Sequence, residues 1–218
     1  RGFPAAESAR RRDDEPRGVS VKRTYDRIAD HFASTRASPW AEVTAFLRPD
    51  ADDAVSRLDD DAVDALVGGA VPGLDRAAAV DAEALPSLGL DLGCGNGRHG
   101  EPLSAVVDRV VGVDVSAELL RTARARARER ETHPHPDLIQ ADAASLPVGS
   151  GTVDVAVYVA ALHHLRPRSR RVASLSEVAR VLAPGGRAIV SAWSTTHDRF
   201  DADSGFDTTV PWTLPGGE

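Results

Sequence analysis

The stretch Gly89-Leu90-Asp91-Leu92-Gly93-Cys94-Gly95-Asn96-Gly97-Arg98-His99 decides how this chain is read. Its first half is a short apolar run carrying one acid. Its second half has glycine at every second position. A buried strand hands over to a helix in this way when the turn must press its backbone against a ligand, because side chains at Gly93, Gly95 or Gly97 would hold that ligand off. Asp91, at the strand tip, is placed to accept a hydrogen bond or to meet a positive charge. The segment also fits the dinucleotide pattern as Gly95-x-Gly97-x-x-Gly100. That fingerprint brings a pyrophosphate to a helix N-terminus. An acid in this position suits such an anion poorly and an ammonium group well.

Working outward, apolar runs alternate with helical segments from residue 87 onward. The pattern predicts strands over Leu88–Leu92, Arg109–Asp114, Leu138–Gln140, Val153–Val159 and Arg187–Trp193. Helices are expected over Glu101–Val107, Ala117–Arg130 and Arg171–Leu182, the last closed by Pro184-Gly185-Gly186. Such alternation implies right-handed crossovers and an α/β fold with a doubly wound, mainly parallel, Rossmann-like sheet. Upstream, residues 1–20 read as a disordered tail. Residues 21–86 read as an N-terminal helical segment covering the ligand site at the glycine turn, ahead of a core over 87–218. In that segment Tyr25, Ile28, Ala29 and Phe32 have helical spacing, and Trp40, Val43, Phe46 and Leu47 share the face of a second helix. Ser38 is the expected N-cap there, with Pro39 in the first turn. Residues 50–86 read as one or two short acidic helices, to which no chemistry is assigned.

Composition narrows the classes. The 218 residues hold 42% hydrophobic residues, enough for a proper core. No run approaches the ~20 apolar residues of a membrane span, and no apolar segment near the N-terminus suggests a secretory signal. Cys94 is the single cysteine, which excludes an internal disulfide and a multi-cysteine zinc site; a reducing cytoplasm is the expected compartment. The net charge is −7 and Lys22 is the only lysine. This acidic, lysine-poor balance resembles a halophile's surface and gives no global attraction to nucleic acid. The chain contains no methionine, from which we expect translation to start upstream of Arg1. His133-Pro134-His135 has the look of a metal pair but lacks a third ligand, so no metal is expected.

Three acids carry the chemistry. Asp114 ends the second predicted strand, where a carboxylate can accept both hydroxyls of a ribose; its plainer role is to cap the helix beginning near Ser116. Asp142 follows the third strand and can accept from an adenine amino group while the Ala143 amide meets a ring nitrogen; its plainer role is a turn acid bonded to its own backbone. With Asp91 they would match the amino acid, ribose and adenine parts of one ligand. His163 and His164 follow the fourth strand and could orient an acceptor, or simply pack and cap a helix start. Arg166, Arg168, Arg170 and Arg171 lie close by and could steer a phosphate backbone, whereas the arginines from Arg121 to Arg130 read as a solvated helix face.

The order of Asp91, the glycine loop, Asp114, Asp142 and the Leu146-Pro147 turn before Val153 resembles class I S-adenosylmethionine-dependent methyltransferases. The flanks narrow this. Tyr25-Asp26-Arg27-Ile28-Ala29-Asp30-His31-Phe32, Thr35-Arg36 and Pro39-Trp40, with Val210-Pro211-Trp212, resemble the tRNA wobble-uridine carboxymethyl methyltransferases. The resemblance covers about residues 21–48 and 87–215. It implies S-adenosylmethionine as methyl donor and S-adenosylhomocysteine as product. The implied donor set is Tyr25, Arg36, Asp91, Gly93, Cys94, Gly95, Asn96, Gly97, Asp114, Val115, Asp142, Ala143 and Val159. On the acceptor side it implies His163, His164, Arg166 and Trp212, with His164, Arg36 and Trp212 nearest the chemistry. It further implies a tRNA substrate and a small zinc-binding activator subunit adding to the sheet edge at strand three. The chain departs from the family at residues 50–86, in its acidic surface, and in stopping at Glu218 before a final strand pair. Two other readings stay open: a methyltransferase of a small acidic or quinone-like molecule, and a subunit that binds donor or RNA without turnover.

Overall fold

The computed structural model describes residues 21–48 and 87–192. The expected tail, the stretch 50–86, Trp193, and the Val210–Pro215 segment with Trp212 lie outside the described residues.

Two helices come first, α1 (Val21–Thr35) and α2 (Ala41–Phe46). The core then runs β1 (Leu88–Leu92), α3 (Gly100–Ser104), β2 (Arg109–Asp114), α4 (Ala117–Glu129), β3 (Asp137–Gln140), β4 (Val153–Val159), a 3-10 turn (Leu162–His164), α5 (Arg168–Val181) and β5 (Leu182–Ser191). The five strands form one sheet in the order β3-β2-β1-β4-β5, and every pairing is parallel. The expected α/β doubly wound sheet is therefore the observed one. β1, β2 and β4 coincide with the sequence-predicted spans.

The chain winds outward from β1 through β2 to β3, then returns to the other side of β1 for β4. The crevice above the carboxyl ends of β1 and β4 is thus the topological switch point, where open α/β sheets bind ligands. Both faces of the sheet are covered. On one, Leu90, Leu92, Val113 and Tyr158 pack with Leu162, Leu175, Val178 and Val181. On the other, Val155, Val157 and Val159 pack with Leu103, Val107 and Val110, and with Val43, Phe46 and Leu47 of the α2 region. Burial on both faces accounts for the nearly unbroken apolar runs of β2 and β4.

Several boundaries differ from expectation: α3 stops at Ser104, short of Val107, and β5 starts at Leu182, ahead of Arg187. α5 begins at Arg168, three residues early, because Pro167 serves as its N-cap in extended conformation. Pro184-Gly185-Gly186 does not terminate the helix. It sits inside β5 as an irregularity: Val153 pairs with Leu182 and Val155 with Arg187, so the extra residues bulge from the ladder. In α2 the N-cap is Trp40, not Ser38, and it makes no side-chain cap bond. Trp40 does not share the buried face of Val43, Phe46 and Leu47; it is exposed.

The glycine loop is fastened to the neighbouring strand, since the Gly93 and Cys94 amides both donate to the Val113 carbonyl, at 2.7 and 3.0 Å. Gly93 has φ +67°, and a Cβ there would lie 2.5 Å from the Cβ of Ala161. Its glycine is therefore required by backbone handedness and by the tip of β4 as well as by any ligand. Gly93→Ala should lose roughly 2–4 kcal/mol in urea denaturation. Adding Ala161→Gly should recover part of that loss, because it removes the clash but not the backbone strain.

Candidate functional site

At the switch point the three acids occupy successive strand tips. Asp91 is the deepest, 2% exposed, with Oδ2 buried and without a hydrogen-bond partner. Burial, then the nearby Asp114 charge, pushes its carboxyl up to about 7, while Arg98 acts the other way. A strand-tip carboxyl with an orphan oxygen is a ready receptor for a cation.

Although the N-cap of α4 is Ser116 itself, Asp114 performs a local backbone role. Its Oδ2 accepts from the Gly95 amide at 2.9 Å and its Oδ1 from the Ser116 amide at 2.8 Å. It therefore holds the glycine loop and the start of α4 together. Each oxygen keeps a further lone pair for a ligand hydroxyl. Burial raises its carboxyl, opposed by those backbone donors. Val115 beside it is 39% exposed, an apolar surface at the mouth of the site. Asp142 is exposed and bonded locally: Oδ1 accepts from the Ala144 amide at 2.9 Å, and Oδ2 pairs with Arg170. The turn role is thus real, and Arg170 is committed to it.

α1 closes over this edge. Phe32 stands 3.3 Å from where a Gly95 Cβ would lie. The Arg36 guanidinium lies 4.7 Å from the Phe32 ring centroid, and the Arg36 carbonyl accepts from Asn96 Nδ2 at 3.0 Å. The Tyr25 hydroxyl shares a 2.8 Å hydrogen bond with His164 Nε2, with the rings edge-on. This bond ties the N-terminal helix to the turn that follows β4. Burial raises the Tyr25 hydroxyl, countered by Arg36. Burial also lowers His163 to about 4. His164 is lowered by burial and then by Arg166. Both imidazoles are therefore neutral at pH 7, and neither serves as a cation there.

The structure brings together Tyr25, Arg36, Asp91, the loop Gly93–Gly97, Asp114 and Val115 on one side and Val159, His163 and His164 on the other. Asp142 and Ala143 stand at the β3 end. Arg166 is exposed, and Arg171 turns back to the Leu165 carbonyl at 2.9 Å. Cys94 is buried and its thiol is pushed well up, by burial first and then by Asp91 and Asp114, which suits a filler and not a nucleophile.

Several participants were missed from sequence. Arg98 is almost wholly buried; its Nε donates to His99 Nε2 at 3.1 Å, and its guanidinium lies 5.3 Å from the Trp40 ring centroid. Arg126, read as part of a solvated face, reaches the Ala37 carbonyl at 2.6 Å. Asp26 bonds Ser116 across elements. For Arg98 the signal was its place in the glycine loop. For Arg126 and Asp26 there was none, since the partners lie far away in the chain. Among the described residues no group of three His, Cys, Asp or Glu is placed to hold a metal, and no helix is long and apolar enough to cross a membrane.

Comparison with known proteins agrees with this geometry. Residues 90–190 match the model of a methyltransferase domain. The chain is 31% identical over 181 residues to mouse tRNA (carboxymethyluridine(34)-5-O)-methyltransferase ALKBH8, covering 82% of this chain and 20% of that protein. It is 29% identical over 200 residues to the Saccharomyces cerevisiae tRNA (carboxymethyluridine(34)-5-O)-methyltransferase, covering 89% of this chain and 57% of that one. The chain thus spans a fifth of the mouse relative and little more than half of the yeast one. Among solved structures, a Methanococcus maripaludis protein assigned to the S-adenosylmethionine-dependent methyltransferases superposes with a TM-score of 0.51 at 14% identity, over 76% of this chain and 62% of that one, and so shares the fold. Sequence and architecture converge: the chain carries a methyltransferase domain over residues 90–190 on a class I fold, and it is similar to the tRNA carboxymethyluridine methyltransferases.

Proposed function

We propose that this protein esterifies the carboxymethyl group of a modified wobble uridine in tRNA, with S-adenosylmethionine as donor. One observation carries the choice of acceptor. The similarity to tRNA carboxymethyluridine methyltransferases runs over 181 residues in the mouse protein, well beyond the 90–190 segment that matches methyltransferase domains at large. Tyr25 and Arg36 stand on the N-terminal side of that segment, and Tyr25 is bonded to His164 at the mouth of the site.

The residues fit the donor. Asp91, with its orphan oxygen, would hold the ammonium group, Asp114 the ribose hydroxyls, and Asp142 with the Ala143 amide the adenine edge. Val115 would line the ring face, and Arg36 would face the carboxylate. When bound, S-adenosylmethionine supplies a methyl group on a sulfonium, open to in-line attack. The chain's own task is then alignment and exclusion of water, which accounts for most of such a rate gain. A carboxylate acceptor is already a nucleophile at neutral pH, so no side chain has to remove a proton. The neutral, hydrogen-bonded His164 suits that need: it orients without competing as a charge. Exposed Arg166 and Arg168, beside the same edge, would meet the phosphate backbone that the acidic chain otherwise repels.

A small zinc-binding activator is the partner this reading adds. Among the described residues β3 pairs only with β2, so its other edge is open to strand addition, and cover there would guard against aggregation.

Labelled methyl transfer to tRNA from cells lacking this protein should place the label at the wobble uridine, and Asp114→Ala should abolish it while weakening S-adenosylhomocysteine binding at least about tenfold. Label in a small molecule and none in RNA would refute the tRNA assignment.

Asp91 offers a second check. Its folded pKa of about 7 lies above the ordinary 3.8. As pH rises between these values the unfolded carboxyl ionises before the buried one, so this residue's contribution to stability falls across that window. Asp91→Asn should therefore gain thermal stability relative to the native chain as pH goes from 5 to 8. Binding of S-adenosylhomocysteine to the native chain at pH 6 should release a proton, seen as a buffer-dependent heat that vanishes at pH 8. A difference in Tm that is flat with pH, or no buffer dependence, would show that Asp91 does not titrate in this range.

A further inference from the structure

The N-terminal helix is joined to the core through a relay of polar groups that begins at Asp26. Its Oδ1 accepts from the Ser116 hydroxyl at 2.6 Å and faces the Glu118 amide at 3.4 Å. Ser116 is fully buried and caps α4, its Oγ accepting from the Leu119 amide at 3.2 Å. The Ser116 amide in turn donates to Asp114 Oδ1. Ser116 is therefore bonded to three elements. Its hydroxyl proton is committed to Asp26, its lone pair to the turn of α4, and its amide to the acid at the tip of β2. Asp26 Oδ2, on the far side, pairs with Lys22 at 2.6 Å. The charge of Asp26 also lies at the positive end of a 13-residue helix, where a carboxylate is favoured.

We propose that Asp26 is a positioning residue for donor binding: through Ser116 it fixes the Asp114 carboxylate, and it holds α1 in the closed place where Tyr25, Phe32 and Arg36 cover the site. The inference rests on the donor reading given above. α1 and the residue that follows it carry Tyr25, Phe32 and Arg36 at the donor edge, and the longest-range polar ties of the helix are Asp26 to Ser116 and Tyr25 to His164. Loss of one of these ties lowers the free energy needed to lift the 15-residue helix from the core. Removal of the Asp26 charge also weakens the bond from the Ser116 hydroxyl, because a neutral oxygen is a poorer acceptor than a carboxylate, and so loosens the tie of α1 to the residue whose amide donates to Asp114 Oδ1.

The test is calorimetric binding of S-adenosylhomocysteine to the full chain, with dissociation rates and with amide exchange of residues 21–35. Asp26→Asn should raise Kd by about tenfold, mainly through faster dissociation. The binding stoichiometry should stay at the native value, and exchange in α1 should rise. Ser116→Ala should do the same, and the double variant should be no worse than either single one, because both cut the same relay. Asp26→Glu, which keeps the charge, should recover part of the affinity and stands in if the asparagine variant folds poorly. Lys22→Ala should bind like the native chain. Native affinity in Asp26→Asn, a fall in stoichiometry at unchanged Kd, or additive losses in the double variant would each overturn the proposal. If Asp114→Ala loses affinity while Asp26→Asn keeps it, only the relay fails. If the native chain does not bind S-adenosylhomocysteine at all, the donor reading fails with it.

Discussion

The Asp114 carboxylate accepts one amide from the glycine loop and one from the start of α4, and the rest of the site depends on that double acceptance. β2 ends where the acid must stand. The loop after β1 is drawn onto the tip of β2 by the Asp114 carboxylate and by the Val113 carbonyl. α4 begins in register with both. Charge-assisted bonds of this kind are about twice as strong as neutral ones, which offsets the cost of keeping the acid largely buried. A loop with glycines at positive φ would otherwise wander. Here three hydrogen bonds to one strand tip hold it.

The neighbouring acid shows the opposite economy. Asp91 is deeper and makes no bond through Oδ2; its ionised form is disfavoured by burial and by Asp114. Orphan buried acceptors are uncommon, and they concentrate where a ligand completes them. The two strand-tip acids thus differ: one builds the loop, and the other keeps an oxygen without a partner. Across the crevice both histidines are neutral and one is held by Tyr25. The crevice therefore sets acids at the tips of β1 and β2, with Arg36 and Arg98 beside them, opposite two neutral imidazoles after β4.

How much of this could be read beforehand depended on the range of the forces involved. β1, β2 and β4 were legible to the residue because their apolar runs are buried on both faces, which leaves little freedom of register. The Pro184-Gly185-Gly186 segment was misplaced because the same residues that stop a helix also permit a bulge in a strand. Trp40 was placed on one helix face with Val43, Phe46 and Leu47 by its spacing, yet the chain enters α2 there in extended conformation and the ring turns toward Arg98. Asp114 and Asp142 were each read as site acids, and each performs a local backbone role of the kind that had been weighed against ligand binding.

Sequence alone determined the fold class, the glycine turn, the order of the strand-tip acids and the family resemblance, because these follow from local patterns: alternation of apolar runs, positive-φ glycines, and acids placed at strand ends. Only the tertiary structure decided which side chains meet. That Asp26 bonds Ser116, Tyr25 bonds His164 and Arg126 reaches the carbonyl of Ala37 depends on how α1 lies against α4 and the β4 tip. Such contacts join residues scores of positions apart, and no spacing rule along the chain can specify them.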